Sequence, residues 1–338
     1  MIQGEQRNLW GIVLAAGEGS RVRDFLKHLC GGKGIKQYCA VIGHRSLLEH
    51  TLARVERVIP RERMLIVVSS DHREEVGAQL SSWPDGNVIL QPQNRDTTAG
   101  ILLPLAHISR REPFATVAIF PSDHFILEET RFMAFVQEAI AEVQNFPQNP
   151  ILLGMTPTCL EEGYGWIEPN EREPGRSTYA VREFWEKPTL GEACALLRRG
   201  ALWNTFICTA RANLLWDMVR LVAPALYSDF RAIRHALYSS RANTEIENRY
   251  HRMQSVNFST DVCEPLARSL RVLPVPDVGW SDWGSVKRIC STLEQLGKLD
   301  HCLARLNQRQ GDIVSAMLHG QTGDRIGKNI QNGRRSLS

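Results

Sequence analysis

Short runs rich in valine, isoleucine and leucine alternate with helical periodicity through the first half of this chain. That alternation constrains the fold more than any other feature. Residues 9–16, 63–69, 87–90, 116–120 and 150–155 read as strands, while 46–58, 73–82, 99–109 and 131–143 carry the period of amphipathic helices. Runs that are apolar throughout belong to strands covered on both faces. The expected fold is α/β, a mixed, mostly parallel sheet sandwiched between helices, with ligands at the carboxyl ends of the strands. The second half is more mixed. Strands are expected at 179–185, 202–208 and 271–275, and helices at 190–198, 210–222, 225–239 and 283–297. The expected organisation is one folded domain over 1–298, a short helical extension at 299–319 and a disordered tail at 320–338.

Composition removes several function classes. Of 338 residues, 43% are hydrophobic and 23% charged, which is ordinary for a globular chain with a large core. A net charge of +3 is too small to argue for nucleic acid as a partner. The eight cysteines show no Cys-Xaa-Xaa-Cys or Cys/His ligand spacing. No apolar run is long enough to span a bilayer and no leader is visible, so a cytoplasmic location is expected, with no membrane partner.

The first strand ends in Ala15-Ala16-Gly17-Glu18-Gly19-Ser20-Arg21. Small residues let backbone N–H groups approach a ligand and form an anion-binding concavity, and Arg21 adds a fixed cation suited to phosphate oxygens. The same turn is equally ordinary strand-end chemistry. It is not a P-loop, and Val22 stands where a dinucleotide fingerprint needs its third glycine. A second glycine-rich stretch, Gly31-Gly32-Lys33-Gly34-Ile35-Lys36, reads as a flexible lid or extended surface loop, with Lys36 the lysine that reaches phosphate.

Other constellations lie further along. Asp123 follows the strand ending Phe120-Pro121-Ser122, where a carboxylate either holds Mg²⁺ on a triphosphate or caps a turn. Asp282, in Gly279-Trp280-Ser281-Asp282-Trp283-Gly284, precedes a helix and is either its cap or a second metal ligand. Tyr164 and Trp166 around Gly165, and Trp185 beside Glu186-Lys187, offer flat aromatic surfaces for a polyol ring, with Glu186 for hydroxyls and Lys187 for phosphate. Asn204 can both donate and accept. Singly, each of these is as well explained by packing or a surface ion pair.

Taken in order, LAAGEGSR, IKQY, QPQNRDTTAG, PSDHFI, GYGWIEP, FWEKP, WNTFI and GWSDWGS resemble the sugar nucleotidylyltransferases. The subgroup they look most like is the mannose-1-phosphate guanylyltransferases. The resemblance runs over residues 9–296. It implies a Rossmann-like α/β/α sandwich of the nucleotide-diphospho-sugar transferase type. It also implies a reaction in which NTP and a sugar 1-phosphate give an NDP-sugar and pyrophosphate. Carried over, the nucleotide side falls on Ala15, Ala16, Gly17, Gly19, Ser20, Gln91, Arg95 and Thr97, with Asp96 in the same block. The catalytic cations fall on Arg21 and Lys36, the Mg²⁺ ligands on Asp123 and Asp282, and the sugar-phosphate side on Gly165, Glu186, Lys187 and Asn204. Gln91 stands where the guanylyl subgroup has a base-reading Glu, so a neutral amide free to swivel should select GTP by a modest margin. Thr205-Phe206 replace a usual Ser-Gly and crowd the sugar side.

The implied substrates are GTP or another NTP and a sugar 1-phosphate, mannose 1-phosphate foremost, giving GDP-mannose for polysaccharide synthesis. A homodimer is compatible with the sequence. Two alternatives share these motifs: a sugar-nucleotide-binding regulatory homologue with weak catalysis, and a glycosyltransferase on a similar fold. The latter class usually carries Asp-Xaa-Asp, whereas Ser122-Asp123-His124 lacks the first acid.

Overall fold

The computed structural model describes residues 8–84 and 86–309. The strands are β1 (Leu9–Ala15), β2 (Met64–Ser69), β3 (Val88–Gln91), β4 (Thr116–Pro121), β5 (Phe125–Ile126), β6 (Ile151–Met155), β7 (Gly165–Arg172), β8 (Tyr179–Glu186), β9 (Leu202–Arg211), β10 (Arg271–Val275) and β11 (Trp280–Ser281). The chain divides into two compact units. The larger gathers the segment up to Gly17 with Thr51–Ser122 and Ile126–Trp280. The smaller gathers Glu18–His50, Asp123–Phe125 and the segment from Ser281. Residues distant in sequence reunite, and the helix Leu299–Arg309 joins the smaller unit. The tail at 320–338 lies outside the described residues. No helix among the described residues is long and apolar enough to cross a membrane.

The larger unit is built on a nine-stranded sheet of order β3-β2-β1-β4-β9-β6-β10-β8-β7. Strands β1 to β4 are parallel neighbours, as are β6 and β10, while β9 and β8 run against the rest. This is a mixed α/β sheet. After β1 the chain builds outward through β2 and β3, then returns to place β4 on β1's other side. The carboxyl ends of β1 and β4 therefore flank a switch point, the usual place for a ligand in such sheets. Ser122 ties these ends together: its N–H and its hydroxyl both reach the Leu14 carbonyl, at 3.1 and 2.7 Å.

The apolar runs form strands because every position is covered. All six residues of β2 are buried. On one face Ile12, Leu65, Val67 and Ile119 pack with Ile101, Leu102 and Leu105 of the helix Asp96–Arg111 and with Leu215 of Ala212–Val222. Each such side chain contributes roughly 1.5–3 kcal/mol on burial. The helix Glu129–Asn145 packs against β4, β6, β9 and β10. A buried ionic network joins that helix to the far strands. The Glu142 carboxylate accepts from Arg176 Nε at 2.8 Å and the Thr178 hydroxyl at 2.9 Å, and Arg271 Nε donates to the same hydroxyl at 2.7 Å.

Some elements differ from the sequence expectation. β7 and the helix Ala242–Arg252 were not expected, nor was the π-helical turn Phe258–Cys263. β9 continues to Arg211, so the following helix begins at Ala212 rather than 210. The helix expected from 283 begins at Val286, because Trp283 adopts φ 46 and Ser285 caps the first turn.

The smaller unit has its own core. Phe25, Leu26 and Leu29 of the helix Arg23–Cys30 pack with Ile289 and Leu293 of Val286–Gln295 and with Leu306 of Leu299–Arg309. Trp283 is buried there, stacked on Phe125 at 5.1 Å, with its indole N–H donating to the Thr292 hydroxyl at 3.1 Å.

Candidate active site

Glycine geometry dictates the phosphate-type cluster of the smaller unit. Gly19 has φ 58, and a Cβ there would lie 2.9 Å from Lys36 Cβ. Gly34 has φ 66, and its Cβ would lie 2.4 Å from the Arg23 carbonyl oxygen. Only glycine permits these approaches. They press the lysine segment onto the helix Arg23–Cys30 and the Gly19 turn. The segment is thus no flexible lid: Ile35, Lys36 and Gln37 are all buried. Packing of Ile35 into the unit outweighs the mobility that its glycines suggested.

Lys36 is the hub. Its ammonium pairs with the Asp123 carboxylate at 2.8 Å and donates to the backbone carbonyl of Asp282. One cation thus joins the Asp123 carboxylate to the backbone of Asp282, 159 positions away in sequence. Asp282 Oδ1 also accepts the Gly284 N–H at 2.8 Å and pairs with Arg288 at 3.2 Å. A Cβ on Gly284 would meet Asp282 at 2.5 Å, Arg288 at 2.8 Å and Arg21 at 3.1 Å. Arg21, Asp282 and Arg288 therefore crowd around one glycine. Arg288 was not singled out from the sequence. Its only signal was its place one helical turn after the Trp-Gly-Ser start of a helix.

Burial alone would raise the Asp123 carboxyl. The Lys36 ammonium and His124, with hydrogen bonds from Lys36 and the backbone, outweigh it and hold that carboxyl below its ordinary range. Gly17 is exposed at the end of β1 in the larger unit, and Ser20 and Arg21 are exposed in the smaller.

The sugar-side residues lie together in the larger unit. Gly165 pairs with Glu186 across β7 and β8, and a Cβ on Gly165 would lie 2.8 Å from Glu186 Oε2 and 3.2 Å from Asn204 Cβ. Lys187, at φ 49, sits 3.3 Å from Glu186 and is more than half exposed. Asn204 Oδ1 accepts the Phe206 N–H at 3.0 Å, which leaves its amide nitrogen as the donor. Of the aromatics expected as flat surfaces, Trp185 is half-buried, whereas Tyr164 and Trp166 are buried with Trp203 and Trp280, Tyr164 lying 4.9 Å from Trp203 and 5.0 Å from Trp280. Their area serves the core that holds β7 and β9 together. Thr205 does not crowd the sugar side either, since it is fully buried and its hydroxyl donates to the Leu153 carbonyl at 2.7 Å.

The nucleotide block is knitted to residues 250–258. Arg95 donates to the carbonyls of Tyr250 and His251 at 2.7 and 2.8 Å, at the carboxyl end of the helix Ala242–Arg252 where a cation is favoured. Its guanidinium is thereby engaged in holding a loop. The Thr97 hydroxyl accepts the Phe258 N–H at 2.8 Å, and Asp96, at φ 64, accepts from Asn257 at 3.0 Å. Gln91 is 2% exposed, and its amide nitrogen donates to the Gln93 carbonyl at 2.8 Å. The amide is fixed under the loop, not free to swivel toward a base.

Backbone strain marks the same places. Among the described residues Asp96, Lys187, Phe206, Tyr238 and Trp283 are the non-glycine positions at positive φ. All but Tyr238 lie within the motifs that carried the resemblance. Such conformations cost of order 1–3 kcal/mol and gather where function or ligand contact retains them.

With this geometry in view, the chain belongs to the nucleotidyl transferase family, whose family model matches residues 10–298. It is similar to the xanthan biosynthesis protein XanB of Xanthomonas campestris pv. campestris strain B100, 26% identical over 310 residues, covering 90% of this chain and 62% of that protein. It is also similar to mannose-1-phosphate guanylyltransferase 2 of Escherichia coli O157:H7, 28% identical over 289 residues, covering 81% of this chain and 58% of that one. The chain spans about three fifths of the length of these curated relatives. Among solved structures, a mannose-1-phosphate geranyltransferase from Thermus thermophilus shares the fold, with TM-score 0.72 and 24% identity over 85% of this chain and 80% of that one.

Proposed function

We propose that this chain transfers a nucleoside monophosphate from an NTP to a sugar 1-phosphate, releasing pyrophosphate, with GTP and mannose 1-phosphate as the pair and GDP-mannose as the product. The observation that carries this reading is Lys36, buried and shared between Asp123 and Asp282 beside Gly19, with Arg21 and Arg288 gathered at Gly284. Anionic substrates need such a concentration of fixed cations and carboxylates. The name of the Escherichia coli relative, a mannose-1-phosphate guanylyltransferase, supports the same substrates.

The sugar phosphate is already an anion at neutral pH, so no general base is required. Arg21 and Lys36 offset charge on the triphosphate, and their fixed positions lower the barrier through positioning and electrostatics. The reading assigns Mg²⁺ to Asp123 and Asp282. The donor chemistry fits, since Mg²⁺ binds through one or two carboxylates with phosphate oxygens and water completing its shell. Among the described residues no group of three or more His, Cys, Asp or Glu could hold a metal ion by itself, so phosphate oxygens would complete the shell. Mg²⁺ would supply charge neutralisation on the reacting phosphates. Glu186 and the amide of Asn204 hold sugar hydroxyls, and Lys187 meets the sugar phosphate. Gln91 and Arg95 act on the nucleotide through the loop they fasten.

A matrix of NTPs against sugar 1-phosphates, read by pyrophosphate release with Mg²⁺ present, tests the proposal. GTP with mannose 1-phosphate should give the fastest release. Absence of pyrophosphate release with every sugar 1-phosphate in the matrix, alongside retained nucleotide-sugar binding, would replace this reading with that of a regulatory homologue.

A further inference from the structure

In the larger unit β9 loses register against β6: Leu152 faces Cys208 while Gly154 faces Asn204, so residues 205–207 bulge. Thr205 anchors the bulge, donating to the Leu153 carbonyl at 2.7 Å and accepting the Ile207 N–H at 3.3 Å. Phe206 sits at the tip with φ 64. Because Ile119 of β4 pairs with Cys208 in antiparallel register, Phe206 lies at the carboxyl edge of the parallel strands, where ligands of such sheets bind. Its ring is half-buried and meets Phe258 edge-on at 6.2 Å.

Phe206 packs against the core without being enclosed by it: Phe258 is only 3% exposed, whereas Phe206, which follows Asn204 by two positions, stays half-buried. A left-handed backbone favours glycine and is unusual for a bulky side chain, and such a conformation is kept where it has a use. The Phe206 N–H also fixes the Asn204 amide at 3.0 Å, so ring and amide form one unit.

We propose that Phe206 determines which sugar 1-phosphate the chain accepts. Its ring is an apolar wall beside Asn204 on which the less polar face of a hexose rests, excluding epimers that turn a hydroxyl toward it. This rests on the sugar-phosphate reading above and adds a specificity-determining residue to it.

The test uses the full chain and its Phe206→Gly and Phe206→Leu variants, with pyrophosphate release measured for mannose, glucose and galactose 1-phosphates at saturating GTP, then for GTP at saturating sugar. Phe206→Gly should raise KM for the preferred sugar roughly 10-fold and bring the kcat/KM ratios between epimers toward one, with KM for GTP changed less than about twofold. Phe206→Leu should fall between. Glycine suits the backbone, so melting temperature should hold, separating loss of selectivity from loss of fold. Unchanged epimer ratios in both variants, or equal rises in KM for sugar and GTP, would overturn the inference. A parent chain that releases pyrophosphate with none of the sugars would overturn the underlying reading instead, and this inference with it.

Discussion

Replacing Lys36 with methionine keeps the length of the side chain and removes its charge. In the parent chain that ammonium is 6% exposed, 2.8 Å from Asp123, and bonded to the Asp282 carbonyl. Breaking a fully buried pair costs about 3–5 kcal/mol because the partner is left unpaired. Asp123 is 32% exposed, so water takes over part of its solvation. The expected loss of stability is therefore smaller, about 1–3 kcal/mol. The loss in turnover should be larger, about 10²–10³-fold, because a fixed cation is removed from where phosphate charge develops. The Asp123 carboxyl is held below its ordinary range, so its pairing stabilises the fold above the ordinary carboxylate pKa and is lost as pH falls through the depressed value. Urea unfolding of parent and variant across pH should accordingly differ at neutrality and converge in acid. Pyrophosphate release at a temperature where both are folded gives the second readout. A Lys36→Met variant with parental turnover, or a stability gap that widens in acid, would refute the reasoning.

Glu142→Ala should destabilise the larger unit by about 1–3 kcal/mol, since it removes the buried acceptor of Arg176 and Thr178 while Arg176 keeps Glu173 at 3.3 Å; an unchanged urea midpoint would remove that network from the stability account. Gln91→Glu should lower the melting temperature, equivalent to about 1–3 kcal/mol, because a buried carboxylate replaces an amide that donates to the Gln93 carbonyl. A stable variant with sharper GTP preference in competition kinetics would show instead that this position reads the base. Lys187→Ala should raise KM for sugar 1-phosphate by about one to two orders of magnitude, the worth of a charge-assisted contact, and leave GTP nearly unaffected. Equal loss for both substrates in separate titrations would count against its assignment.

The strands of the first half were legible because burial on both faces demands uninterrupted apolar residues, and nothing else in a chain has that signature. Leu9–Ala15 and Met64–Ser69 came within a residue of the expected bounds. The helix Ala242–Arg252 was not legible, since it buries only Tyr250 and apart from Ala242 and Ile246 its remaining residues are polar. β7 was obscured by its own motif: Gly165 and Pro169 read as loop chemistry, and only cross-strand pairing with β8 makes the segment a strand. The glycines of the candidate site could be named from sequence, but not what they approach.

The α/β class and the family were readable from the chain alone, because they depend on local pattern and on residue chemistry in a fixed order. Tertiary structure decided which of the candidate site residues meet. Lys36 turned from a mobile reach into a buried hub, Arg95 and Gln91 were drawn into holding a loop, and the tryptophans were spent on a core. It also divided the chain into units that cut across sequence order and set Phe206 in a left-handed backbone. The physical reason is the same throughout. Burial, ion pairing and backbone strain are properties of neighbours brought together from distant segments, and no single stretch of sequence contains both partners.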